Sequence, residues 1–314
     1  MSTATAAPGT APIEFQRASR WYGQVIALND VSAQIEPGVT GLLGPNGAGK
    51  STFLKLAAGQ LGPSQGEVRV LGKPAWGSPE IFHRVGLCPE ADAFWDGLTG
   101  LQFLVALLRL TGFSDAEAKR RGEAALEQVD LIAASHRKIG AYSKGMRQRV
   151  KLAQALAHDP EVLLLDEPLG GLDPVNRRRS VDLVKRLGRE GRSVVVSSHI
   201  LYEVEAMTRR VLLINNGRIL AEGDVREIRE LMDEHPHTVS LRARDPRAVA
   251  GAVVAQQHVV SLAFGEEGEW LTVQTAKPDE FYAAVTDVAE AAGVKEMYSP
   301  DEDLASVFKY LVPR

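Results

Sequence analysis

Short apolar runs that stop abruptly at glycine or polar positions recur along the longer, N-terminal part of the chain. They are Val39 to Leu43, Val162-Leu163-Leu164-Leu165, Ser193-Val194-Val195-Val196-Ser197 and Val211-Leu212-Leu213-Ile214. Runs of this length without polar alternation suit strands covered on both faces. Longer segments with helical spacing lie between them, so residues 13–232 read as a parallel sheet covered by helices. From Pro89 to about His158 the texture becomes mostly helical, with helices predicted over Leu98 to Leu110, Ala116 to Val129 and Lys144 to Ala157. This stretch, about 90–158, interrupts the sheet as a helical insert.

The pattern changes after Met232, at the polar, proline-containing break Asp233-Glu234-His235-Pro236. Beyond it the order is strand (Thr238 to Ala243), helix (Pro246 to Ala255), strand (Val259 to Phe264), a Gly-Glu-Glu-Gly turn, strand (Trp270 to Gln274), helix (Pro278 to Ala291) and strand (Val294 to Tyr298). That is the split β-α-β order of a small sandwich, and 233–314 read as an accessory α+β domain. Residues 1–12, mostly small residues and proline, read as a disordered lead.

A chain of 314 residues suits one large domain and a small one. No apolar run approaches the roughly 20 residues of a bilayer span, and the lead lacks the basic flank and apolar stretch of a signal peptide. If the protein works at a membrane, another chain is expected to cross it. The single cysteine, Cys88, cannot form an internal disulfide or a cysteine-rich metal site, and a reducing cytosol is the expected home. The net charge of −4 is unevenly spread: from His235 onward 12 acidic face 7 basic residues, net −5, leaving +1 for the rest. Neither part has the basic excess of a nucleic-acid binder.

Two segments carry recognisable chemistry. Gly44-Pro45-Asn46-Gly47-Ala48-Gly49-Lys50-Ser51-Thr52 follows an apolar run and precedes the helix-like Phe53 to Ala58, the context of a P-loop. Its glycines let backbone N–H groups approach a phosphate chain at the positive end of a helix. Lys50 then pairs with the β- and γ-phosphates, and the Ser51 hydroxyl completes a Mg²⁺ shell. In the second segment, the buried run Val162 to Leu165 ends in Asp166-Glu167-Pro168. Asp166 falls on the metal side of the phosphate site, and Glu167, pointing elsewhere, can polarise an attacking water.

Ala141-Tyr142-Ser143-Lys144-Gly145-Met146-Arg147-Gln148-Arg149 opens a long helix, and with this segment the chain closely resembles the ATP-binding cassette family, the motor subunits of ABC transporters. The resemblance implies that Ser143 and Gly145 grip the γ-phosphate of ATP held by a second copy, through a hydroxyl, free amides and a helix dipole. It assigns Tyr22, in Arg20-Trp21-Tyr22-Gly23, to the adenine ring, with Trp21 as a substitute. Gly171-Leu172-Asp173-Pro174 matches the loop that crosses the dimer interface, although Asp173-Pro174 also suits an ordinary capped helix start. His199 matches the switch histidine that contacts the γ-phosphate.

Lys144 and Met146 stand where the commonest family motif has Gly and Gln, as in the branch that exports drugs, lipids or polysaccharides. Glu90, in Gly86-Leu87-Cys88-Pro89-Glu90, stands where the family usually has Gln. A carboxylate there can ligate Mg²⁺; the loop can equally serve to sense a membrane partner. Phe94 and Trp95 fall where the family receives a short helix of the membrane subunit, and core packing of the insert explains them as well.

The resemblance spans residues 13–230, and Asp303-Leu304-Ala305-Ser306-Val307-Phe308 looks like the closing segment of drug- or polysaccharide-type exporter ATPases. It implies an α/β P-loop NTPase with a parallel-sheet core, an antiparallel β subdomain, the helical insert and the small α+β C-terminal domain. ATP and Mg²⁺ are the implied cofactors, with Ser51, Glu90 and Asp166 around the metal and Lys50, Glu167 and His199 in catalysis. A second copy in a head-to-tail dimer and separate membrane permease chains are the implied partners, on the cytoplasmic side of the membrane. Soluble relatives that act on ribosomes carry two cassettes, against one P-loop here. DNA-associated relatives insert a long coiled coil, and no sustained heptads separate Lys50 from Ser143.

Overall fold

The computed structural model describes residues 11–224 and 237–298, apart from 255, 266–268, 278–279, 282–283, 287 and 289–291. It divides into two compact units, Met1–Gly223 and Asp224–Arg314. Of the lead expected over 1–12, only Ala11 and Pro12 are described; they precede the first strand, Ala11 is buried and the Pro12 carbonyl accepts from Leu71 N at 2.8 Å. Asp303 to Phe308 lie outside the described residues.

The first unit holds two sheets. An antiparallel one has the order β2-β1-β4-β5, from β1 (Ile13–Tyr22), β2 (Val25–Ile35), β4 (Gln65–Val70) and β5 (Lys73–Pro74). The second has the order β10-β9-β3-β8-β7-β6, from β3 (Gly38–Leu43), β6 (Val85–Cys88), β7 (Val162–Asp166), β8 (Ser193–Ser198), β9 (Arg210–Asn215) and β10 (Arg218–Asp224). From β9 through β3, β8 and β7 to β6 every pairing is parallel.

The helices of this unit are α1 (Lys50–Ala57), α2 (Gly100–Leu110), α3 (Asp115–Gln128), α4 (Lys144–Leu156), α5 (Pro174–Arg189) and α6 (Leu201–Glu205). Successive strand residues serve opposite cores, as the two-residue period requires. Val162, Leu164 and Val195 join the core built with α1 and the antiparallel sheet, whereas Leu163, Leu165, Val194 and Val196 join the core of the helical insert and α5. Each such leucine, fully buried, contributes about 1.5–3 kcal/mol. Phe15 stacks on Phe53 with centroids 4.0 Å apart, joining the antiparallel sheet to α1.

Local chemistry sets the helix starts. The apolar pattern predicts a helix from Leu98, but Thr99 caps α2: its hydroxyl accepts from Gln102 N at 3.2 Å and Gln102 Oε1 accepts from Thr99 N at 3.0 Å. Because the central strands are parallel, their C-terminal ends share one edge of the sheet. Leu43 pairs with Ser198 and Asp166 with Ser197, which fixes where the chemistry must lie.

The second unit contains β11 (His237–Ala243), α7 (Pro246–Val253), β12 (Val259–Phe264), β13 (Trp270–Thr275) and β14 (Val294–Tyr298), with sheet order β12-β13-β11-β14. All three pairings are antiparallel, so β13 lies between the strands of a split β-α-β unit. Val239, Leu241, Leu271 and Val273 bury against Val249 and Val253 of α7 and against Phe281 and Val285.

Candidate active site

The loop from Gly44 to Gly49 joins the end of β3 to the start of α1. Gly49 has φ +109°, and a Cβ there would sit 2.5 Å from the Ala27 carbonyl, so no other residue fits without displacing backbone. The first-turn N–H groups of α1 have no partner within the helix. Lys50 is buried; its Nζ donates to Gly44 O at 2.7 Å and Pro45 O at 3.2 Å and lies 3.6 Å from Glu167 Oε1.

A cleft of about 360 Å³ opens here, lined by residues 45–52 together with Glu90, Asp166 and Glu167, and rimmed by Val25, Ile26 and Ala27. Pro45, Asn46, Gly47, Ala48, Gly49, Lys50, Ser51 and Thr52 thus all face one space with three carboxylates. Tyr22 is not among the lining residues. It ends β1 exposed, with the Arg20 guanidinium 5.1 Å from its ring centroid, while the apolar rim comes from Val25 and Ile26 across the same hairpin.

The Asp166 carboxylate accepts from Ser197 Oγ at 2.5 Å. Glu167 departs from strand geometry, with φ +46°. Its N–H is received by Ser197 Oγ at 3.1 Å, and its carbonyl accepts from Gln148 Nε2 and Gly170 N, both at 3.2 Å. The turn sets Glu167 Oε1 3.0 Å from His199 Nδ1, so imidazole and ammonium flank one carboxylate. Next to His199, buried Ser198 donates to Glu203 Oε2 at 2.9 Å and accepts from Ile200 N at 3.1 Å.

Glu90 follows β6, and its main-chain oxygen accepts from Lys151 Nζ of α4. Lys151 is buried and also lies 3.1 Å from Asp92. Cys88, which ends β6, is fully buried; burial pushes its thiol up to about 12.

Ser143, Gly145 and Asp173 do not line the cleft. Ser143 caps α4, its Oγ accepting from Met146 N at 3.3 Å. A Cβ on Gly145 would lie 3.2 Å from Gly171 O, so the start of α4 packs on the 171–173 loop. Asp173 caps α5 by accepting from Asn176 N at 3.0 Å, and these bonds hold its carboxyl below the usual range. The three residues therefore form a second surface with two helix N-termini, separate from the phosphate loop.

An apolar groove of about 350 Å³ lies beside the loop after β6, lined by Phe82, Leu87, Pro89, Leu104, Leu107 and Leu110 among others. Phe94 and Trp95 are not part of it. Both pack edge-on against Phe103, at 5.2 and 5.8 Å, with Phe94 half-buried and Trp95 exposed.

The hydroxyl of Ser51 and the carboxylates of Glu90 and Asp166 are hard oxygen donors around the same cleft. That set suits Mg²⁺ bound together with phosphate oxygens. Among the described residues no group of three or more His, Cys, Asp or Glu is arranged to hold a metal by itself. No helix among them is long and apolar enough to cross a membrane.

Residues 28–170 match the family model described as "ABC transporter". The chain is 36% identical over 220 residues to the uncharacterized ABC transporter ATP-binding protein YxlF of Bacillus subtilis, covering 69% of this chain and 72% of the relative. It is 30% identical over 282 residues to the daunorubicin/doxorubicin resistance ATP-binding protein DrrA of Streptomyces peucetius, covering 89% and 86%. The fold matches the dimeric structure of MJ0796, a bacterial ABC transporter cassette, with a TM-score of 0.64 and 26% identity over 68% of this chain and 99% of that one.

Proposed function

This chain belongs to the ABC transporter family as an ATP-binding subunit, an ATPase of the P-loop class, and we propose that it drives an exporter by closing on ATP as a head-to-tail pair. The observation that carries the reading is the position of the Glu167 carboxylate, between Lys50 Nζ and His199 Nδ1 at the mouth of the phosphate loop. In our reading Glu167 orients and polarises the attacking water. Lys50 turns from its backbone acceptors to the phosphates, and His199 meets the γ-phosphate. Ser51, Glu90 and Asp166 would hold Mg²⁺, and the ion would supply positive charge to the phosphate oxygens. Val25, Ile26 and Tyr22 offer the apolar and aromatic contact for the base.

The surface of Ser143, Gly145 and Asp173 completes the γ-phosphate site of a second copy. Because it does not line this chain's own cleft, one copy binds ATP at its P-loop and contributes its α4 N-terminus elsewhere. ATP then favours the closed pair, since only that state makes every γ-phosphate contact. The apolar groove beside Glu90 receives a segment of a separate membrane chain, which puts the motor at the membrane's inner face as a peripheral subunit. Export is favoured by the drug-resistance role named for the Streptomyces relative and by Lys144, Met146 and Glu90.

Glu167→Gln tests the reading. It is expected to keep ATP affinity, lose about 10²–10⁴-fold in turnover and elute as a dimer with ATP and Mg²⁺ on size-exclusion chromatography. Turnover at the wild-type rate would remove Glu167 from the mechanism.

A further inference from the structure

We propose that Ser197 is a positioning residue for hydrolysis, holding the Asp166 carboxylate and the Glu167 main chain in one fixed arrangement. The proposal rests on the roles given above to Asp166 and Glu167.

A strand running straight through Asp166 would throw the next side chain to the opposite face of the sheet. Instead Glu167 takes φ +46°, a left-handed conformation that side chains other than Asn and Asp rarely adopt, and its carboxylate comes to Lys50 and His199. Such a conformation persists only where neighbours over-determine it. Ser197 supplies that constraint. Its Oγ donates to Asp166 Oδ1 at 2.5 Å and accepts from Glu167 N at 3.1 Å, so one hydroxyl spends its proton and a lone pair on adjacent residues.

Ser197 is fully buried, where a lost hydrogen bond is not replaced by bulk water. It pairs with Asp166 across β7 and β8 and stands two residues before His199. One strand end therefore delivers both the clamp on the glutamate backbone and the imidazole beside the glutamate carboxylate. Gln148 Nε2 and Gly170 N hold the carbonyl side of the same residue.

The test compares Ser197→Ala, Ser197→Cys and Ser197→Thr in the full chain by steady-state ATP hydrolysis, Mg²⁺ titration of the rate, calorimetric ATP binding and thermal melting. Ala and Cys are expected to lower kcat on the order of tenfold and to raise the Mg²⁺ needed for half-maximal rate, with KM and ATP affinity within about twofold. Thr, which keeps the hydroxyl, should restore at least about half of kcat. If Ala does not fold, Cys decides, because it leaves no cavity and its thiol is only a weak donor and acceptor. Unchanged kcat in a folded Ala or Cys variant overturns the proposal, as does a loss confined to KM and affinity. Glu167→Gln measured alongside separates the two failures. If it turns over normally, the catalytic assignment falls; if it is inactive while folded Ser197 variants keep full kcat, only the positioning role falls.

Discussion

Lys151 of α4 donates its Nζ to the main-chain oxygen of Glu90 at 2.5 Å, tying the helix that begins at Ser143 to the loop that presents Glu90 to the cleft. The ammonium is buried and its nearest carboxylate, Asp92 at 3.1 Å, is half-exposed. Lys151→Met keeps the stem's packing and removes the bond. Urea unfolding should show a loss of about 1–3 kcal/mol, since the Glu90 carbonyl and Asp92 lose a charged donor. A midpoint equal to wild type would mean that the loop is held by something else.

Lys50→Ala removes the buried cation that faces both the loop carbonyls and Glu167. Phosphate charge then enters the cleft without its main counter-charge. Titration calorimetry should detect little or no ATP binding, and turnover should vanish with it; unchanged affinity would overturn the P-loop assignment.

Leu110 is 78% exposed at the end of α2 and lines the apolar groove. Leu110→Asp should therefore change stability by only about 0.5 kcal/mol or less, leave ATP hydrolysis by the isolated chain intact, and weaken co-purification with the co-expressed cognate membrane chain. Trp95→Ala, outside the groove, should weaken it less. A membrane chain recovered at full yield with Leu110→Asp would show that the partner docks elsewhere.

His158 gives the fold an acid-side weakness. It is mostly buried with a ring nitrogen 3.0 Å from Val85 O, and burial pulls its pKa below the ordinary 6.5, reinforced by His83 and Arg121 and opposed by the Val85 carbonyl and Asp159. The unfolded chain binds the proton more readily, so this contribution is complete above about pH 6.5 and is lost as pH falls through the lowered value. Denaturant unfolding at pH 7.5 and 5.5 should show a larger loss for wild type than for His158→Gln. Equal losses would take His158 out of the pH dependence.

The contiguous features of the site are legible in the sequence itself. The P-loop, the Asp166-Glu167 strand end and the Ser143 cap are runs of neighbouring residues whose local geometry follows from their types. What is not legible there depends on distant pairs. Ser197 looks like the polar end of an apolar run, yet acts on residues 30 and 31 positions away. Lys151 reads as one more polar residue of an amphipathic helix until Glu90, 61 positions away, is brought to it. Val25 and Ile26 are masked by aromatic Tyr22, the stronger sequence signal, while the hairpin turn decides which residues rim the cleft. The four strands of the second unit fall where the sequence places them, and those at its centre bury one face each, whereas much of the helix expected over Pro278 to Ala291 lies outside the described residues.

The left-handed backbone of Glu167 sets evolution against itself at a single position. That conformation costs about 1–2 kcal/mol for an ordinary residue, and asparagine, which adopts it readily, would relieve the strain. Asparagine would also leave buried Lys50 and the neighbouring His199 without the carboxylate that lies 3.6 and 3.0 Å from them. Relief of the backbone and loss of that charge pair therefore oppose each other at residue 167, so a variant changed there should be measured for ATP hydrolysis and for thermal melting together.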